Sequence, residues 1–152
     1  MQIFGNNGNI FKLSILGYQF PEMKSEAYDS NWLIIEVDVT CSQGAWIAQN
    51  PCLLTYEVAR LANWFEAIAS ETNTKSIQKF IEPNLEFHFI DSPPEKCLRI
   101  YFELELRPEW AAWEQGIMKD LWVDFPLSDL DLNQIANSLR SQLCKYPQRA
   151  IK

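Results

Sequence analysis

From Cys97 to Leu106 the chain alternates without a break, with Leu98, Ile100, Phe102, Leu104 and Leu106 on one side and Arg99, Tyr101, Glu103 and Glu105 on the other. A period of two belongs to a strand with one buried face. The same pattern runs from Trp32 to Cys41, where Leu33, Ile35, Val37, Val39 and Cys41 oppose Trp32, Ile34, Glu36, Asp38 and Thr40. Further strands are expected at Ile3-Phe4, Ile10 to Gly17, Ala45 to Gln49, Ile77 to Ile81, Leu85 to Ile90 and Leu121 to Leu127. Short polar turns join most of them, among them Gly5-Asn6-Asn7-Gly8-Asn9, whose Asn-Gly pair suits the positive φ of a tight hairpin.

Only two stretches carry the helical period. Val58, Leu61, Ala62, Phe65, Ile68 and Ala69 form one stripe behind Thr55, read as its N-cap. Leu132, Ile135, Ala136, Leu139 and Leu143 form the second, with Ser128 read as N-cap, Asp131 as the capping-box acid and Pro147 as the stop. A parallel doubly wound sheet needs a crossover helix for nearly every strand, so two helices exclude it. The expected class is α+β: a mostly antiparallel β-sheet with two α-helices packed on it. With 152 residues and no linker or repeat, residues 1–152 read as a single domain.

Chemistry-bearing residues are sparse. His88 is the only histidine, and it sits on the outward side of its strand between Phe87 and Phe89, without a serine elbow or second imidazole to complete a triad or zinc site. Cys41, Cys52, Cys97 and Cys144 stand far apart with no C-x-x-C pair, which fits reduced thiols rather than a disulfide frame or metal centre. No catalytic residue, metal or cofactor is expected.

The outward carboxylate pairs, Glu36 with Asp38 and Glu103 with Glu105, are each about 7 Å apart along a strand. A solvated sheet face accounts for them, and so does a surface for a basic partner; hydrolysis of a glycosidic bond would further require one shared cleft. Outward Trp32, Arg99 and Tyr101 make such a face mixed rather than merely solvating. Trp110 and Trp113, spaced i, i+3 in the irregular stretch from Glu109 to Lys119, either pack under a loop or act as exposed anchors. Glu36, Asp38, Glu103, Glu105, Trp110 and Trp113 are therefore the candidate partner-binding residues.

The net charge of −7, with Lys and Arg scattered singly, argues against direct nucleic-acid binding, because phosphate neutralisation needs a clustered basic stripe. No stretch is apolar for the roughly 18 residues of a membrane span. Met1 to Asn6 lacks a basic region followed by an apolar one, so the cytoplasm is the expected compartment. Acidity of this kind steers a protein towards basic partners.

Five strings, Gly17-Tyr18-Gln19-Phe20-Pro21, Tyr28 to Leu33, Pro51 to Glu57, Phe80 to Leu85 and Phe102-Glu103-Leu104-Glu105, resemble in order and spacing the WapI family of bacterial immunity proteins. The resemblance spans most of the chain, and its motifs look like turns and strand starts rather than a catalytic signature. It implies a non-enzymatic antidote that binds the C-terminal toxin domain of a secreted cell-wall-associated protein, a toxin that cleaves tRNA in the name-giving case. The alternative, from a different class, is a small-molecule-binding module with an aromatic-lined cavity between sheet and helices.

Overall fold

The computed structural model describes residues 1–72, 74–111 and 120–150. Strands β1 (Gln2–Phe4), β2 (Ile10–Tyr18), β3 (Trp32–Cys41) and β4 (Gly44–Leu54) pair consecutively into one antiparallel sheet. Helix α1 (Thr55–Ala69) follows. Strands β5 (Ile77–Gln78), β6 (Leu85–Ile90), β7 (Cys97–Phe102) and β8 (Trp122–Pro126) then make a second antiparallel sheet, and helix α2 (Leu132–Lys145) closes the order. The α+β class holds, but the strands divide between two sheets where one was expected. Alternation specifies a buried face and not which strands share it; here α1 interrupts the run of neighbours after β4.

The inner faces meet. Phe11 of β2 lies 6.1 Å from Phe87 of β6 and 5.8 Å from Phe102 of β7, ring centre to ring centre. Trp46 of β4 meets Phe102 edge-on at 5.1 Å, and Phe65 of α1 meets Phe87 at 6.0 Å. Leu33, Ile35, Val37 and Val39 are fully enclosed, as are Phe87, Ile100 and Phe102, so the two alternating patterns bury the side read as inward. Both sheets and both helices share one apolar cluster.

Several boundaries differ from expectation for local reasons. Strand β4 runs on past Gln49 to Leu54 through Pro51, which an edge strand tolerates because the missing N–H would face away from the ladder. Strand β7 stops at Phe102 rather than Leu106, since Leu104 takes φ +51° and opens a 3-10 turn at Leu104–Leu106. Leu104 is consequently 49% exposed, while Leu106 still reaches the core. Thr55 is the first helical residue and not the cap: Leu54 holds the cap position, and its N–H donates to Glu57 Oε2 at 3.1 Å. Asp131, not Ser128, caps α2, accepting from Gln134 N at 3.0 Å, and Ser128 lies in a 3-10 turn at Leu127–Asp129.

Side chains satisfy the open sheet edges. Beyond β1, the β2 edge is matched by the Gln142 amide of α2, which accepts from Ile15 N at 2.7 Å and donates to Leu13 O at 3.2 Å. The hairpin tip between β1 and β2 covers β8: Asn7 and Asn9 side chains donate to Asp124 O at 3.2 and 2.9 Å. The long connection from residue 19 to 31 is fixed by buried Asn31, whose side chain bonds both backbone groups of Arg149 at 2.8 and 2.6 Å and accepts from Thr55 Oγ1 at 2.9 Å.

Candidate partner-binding surfaces

Glu36 and Asp38 stand on the outer face of the first sheet, in adjacent rows of the ladder. Asp38 faces Lys12 across the β2–β3 pairing and forms an ion pair with it at 3.2 Å; Glu36 accepts from Gln49 of β4 at 2.6 Å. Ile47, opposite Asp38 on β4, is 65% exposed, and Phe4 and Leu16 are also open. This face is apolar at its edges with its charges largely engaged.

Glu103 and Glu105 do not share a strand face, because the chain leaves the ladder after Phe102. Glu103 keeps an extended backbone, its N–H donates to Asn84 O at 3.0 Å, and its carboxylate lies 3.5 Å from Arg107 Nη1. Glu105 accepts from Asn84 Nδ2 at 2.8 Å. Burial, and after it the charges of Glu57, Glu82 and Glu105, push the Cys52 thiol up to about 12. Glu105 is tied through Asn84 to the end of the second sheet where β6 begins, and Glu103 follows the last residue of β7 at that end while holding a different partner. Asp120 belongs to the same end, since it precedes Leu121, whose carbonyl accepts from Phe102 N at 3.0 Å.

Trp110 is 47% exposed and rests on Trp46 and Gly44: its ring meets Trp46 edge-on at 5.7 Å, and a Cβ at Gly44 would come within 3.0 Å of it. The glycine at the β3–β4 turn, with φ +150°, thus makes room for the indole. Trp113 lies outside the described residues.

A further group was only partly legible in the sequence. On the outer face of the second sheet the ladder aligns His88, Arg99 and Asp124 in one row and Glu86, Tyr101 and Trp122 in the next. The rings of His88 and Tyr101 are 4.7 Å apart, and those of Tyr101 and Trp122 are 5.8 Å apart. Arg99 donates twice to Asp124, at 2.7 and 2.8 Å, and lays its guanidinium 4.7 Å from the Trp122 ring centre. The bond to Asp124 raises the already high pKa of Arg99. Glu86 contacts His88 and pairs with Lys79 at 3.2 Å. Arg99 and Tyr101 are visible in the sequence as outward residues; Trp122 is not, because an outward tryptophan opposite an outward tyrosine shows only once the register is known.

The aromatic residues that an aromatic-lined cavity would require are instead packed ring to ring in the core. A hollow of about 460 Å³ between β1 and α2 includes Phe4, Asp129, Asp131 and Gln134, and a groove of about 800 Å³ along α1 includes Arg60, Trp64 and Lys75. Neither has the several converging aromatic rings that the small-molecule alternative calls for. Among the described residues no group of three or more His, Cys, Asp or Glu could hold a metal, and no helix is long and apolar enough to cross a membrane.

The architecture is thus that of a small α+β protein with two solvent-open sheet faces, one aromatic with an acidic end. Its sequence matches the Immunity protein WapI-like family over residues 2–147, and the chain belongs to that family. The family is one of toxin-neutralising, generally non-catalytic immunity proteins that bind a cognate toxin protein. Neither the curated proteins nor the solved structures contain a match.

Proposed function

We propose that this protein acts in the cytoplasm by binding the C-terminal toxin domain of a secreted cell-wall-associated protein and blocking it, and that the toxin is a nuclease. The family match over residues 2–147 carries this reading. The net charge of −7 supports the nuclease part. A nuclease site must be basic to hold phosphates, and an acidic protein is drawn to such a site quickly and competes there without binding nucleic acid itself.

The test is a titration of the toxin domain encoded beside this chain's gene, following both nuclease activity and association rate. One equivalent of the protein is expected to abolish activity through an interface near the usual total of about 1,600 Å². Association is expected to slow several-fold between about 0.05 and 0.5 M salt as the attraction is screened. Absence of binding overturns the antidote role; binding to a domain without nuclease activity overturns only the nuclease part.

A further inference from the structure

Deepening the proposed toxin reading, on which it rests, we infer that the Tyr101–Trp122 ledge at the acidic end of the second sheet is the docking surface, and that it takes a Lys- and Arg-rich face of the toxin domain. Three features on this side point to such an occupant. The first is anchor chemistry. Trp, Tyr and Arg dominate the energetics of protein interfaces, and here Trp122 at 40% exposure stands beside Tyr101 and beneath Arg99 on a sheet face that no helix covers among the described residues.

The second feature is order in the free protein. Arg99 is held by two bonds to Asp124 and stacks on Trp122, while Tyr101 sits between His88 and Trp122. Side chains already fixed by their neighbours lose little freedom when a partner arrives.

The third is charge. Lys79 with Glu86, Arg99 with Asp124 and Arg107 with Glu103 cancel as pairs on this side. Glu105 and Asp120 have no ion pair among the described residues; Glu105 is held by Asn84 just before β6, and Asp120 stands two residues before Trp122, both at the end next to the ledge. The excess is negative just where the aromatic rings offer their faces, so partner lysines and arginines gain both Coulomb attraction and ring contact. The outer face of the first sheet offers a weaker match: Lys12 neutralises its Asp38, Gln49 holds its Glu36, and its open Ile47 is aliphatic where the ledge has stacked rings.

Trp122→Ala is expected to weaken binding of the neighbour-encoded toxin domain roughly 30-fold, as loss of a central aromatic anchor does. Glu105→Gln with Asp120→Asn is expected to slow association and flatten its salt dependence with little change in dissociation. Ile47→Ser, on the first sheet, serves as the control and is expected to bind as the wild type does. Hydroxyl-radical footprinting of the unmodified protein gives an answer independent of how the variants fold: Trp122 and Tyr101 are expected to be protected in the complex, and Ile47 is not. Wild-type binding together with an undiminished Trp122→Ala variant, or with protection of Ile47 instead of Trp122, overturns this surface alone. Failure of the wild type to bind at all removes the toxin reading, and this surface falls with it.

Discussion

Cys52 and Glu57 illustrate what burial does to a side chain that is chemically reactive elsewhere. The Cys52 thiol is enclosed, and burial, helped by the charges of Glu57, Glu82 and Glu105, moves it from 9.0 to about 12. Because the thiolate is the nucleophile, Cys52 is expected to resist alkylation at pH 8 while exposed Cys144 reacts, an outcome read by peptide mass spectrometry. The sign of the stability effect follows. Above about 9 the unfolded chain loses this proton and the folded chain keeps it, so stability is retained below pH 9 and lost progressively up to about pH 12. Urea melts of the wild type and Cys52→Ala through that window are expected to show a shallower decline in the variant. Glu57 is fully enclosed yet satisfied, with Leu54 N at 3.1 Å, Ile81 N at 2.9 Å and Arg60 Nη2 at 3.3 Å. Glu57→Ala leaves two backbone donors stranded and is expected to cost about 2–4 kcal/mol in denaturant unfolding.

At the scale of elements, the strands and helices were legible wherever one face had to be buried, as Leu33, Ile35, Val37 and Val39 demonstrate. What pattern could not supply was the backbone event that ends a pattern early. Leu104 continues the alternation in letters but turns with φ +51°, so Glu103 and Glu105 separate and the supposed carboxylate pair does not exist as a pair. Caps obey the same rule: Ser128 and Asp131 are both good caps by chemistry, and only the geometry of the preceding 3-10 turn decides for Asp131. Asp131→Ala is accordingly expected to destabilise by about 1 kcal/mol, and Ser128→Ala by much less, in parallel thermal melts. The aromatic ledge escaped sequence reading because its members come from β6, β7 and β8, and cross-strand neighbours are set by register.

For the molecule as a whole, the two sheets are held together by shared core contacts rather than by shared ladder bonds. Phe11 stands at that junction, completely buried between Phe87 and Phe102. We expect residues 1–152 to unfold as one cooperative unit, with calorimetric and van't Hoff enthalpies that agree. Phe11→Ala is expected to lower stability by about 3–5 kcal/mol while keeping a single transition. Two separated transitions in the wild type would mean that each sheet is its own folding unit.

The hairpin tip at Asn7 and Asn9 gives this arrangement a reach beyond its position. Both side chains grip the carbonyl of Asp124, whose carboxylate in turn holds Arg99 over Trp122. A residue that touches no partner thereby helps set the stiffness of those that would. Loosening the hairpin, for example by Asn9→Ala, transmits slack through Asp124 to the indole and its guanidinium cover. Its signature would be thermodynamic rather than structural: a complex with the same contacts, formed at a larger entropic penalty and released sooner.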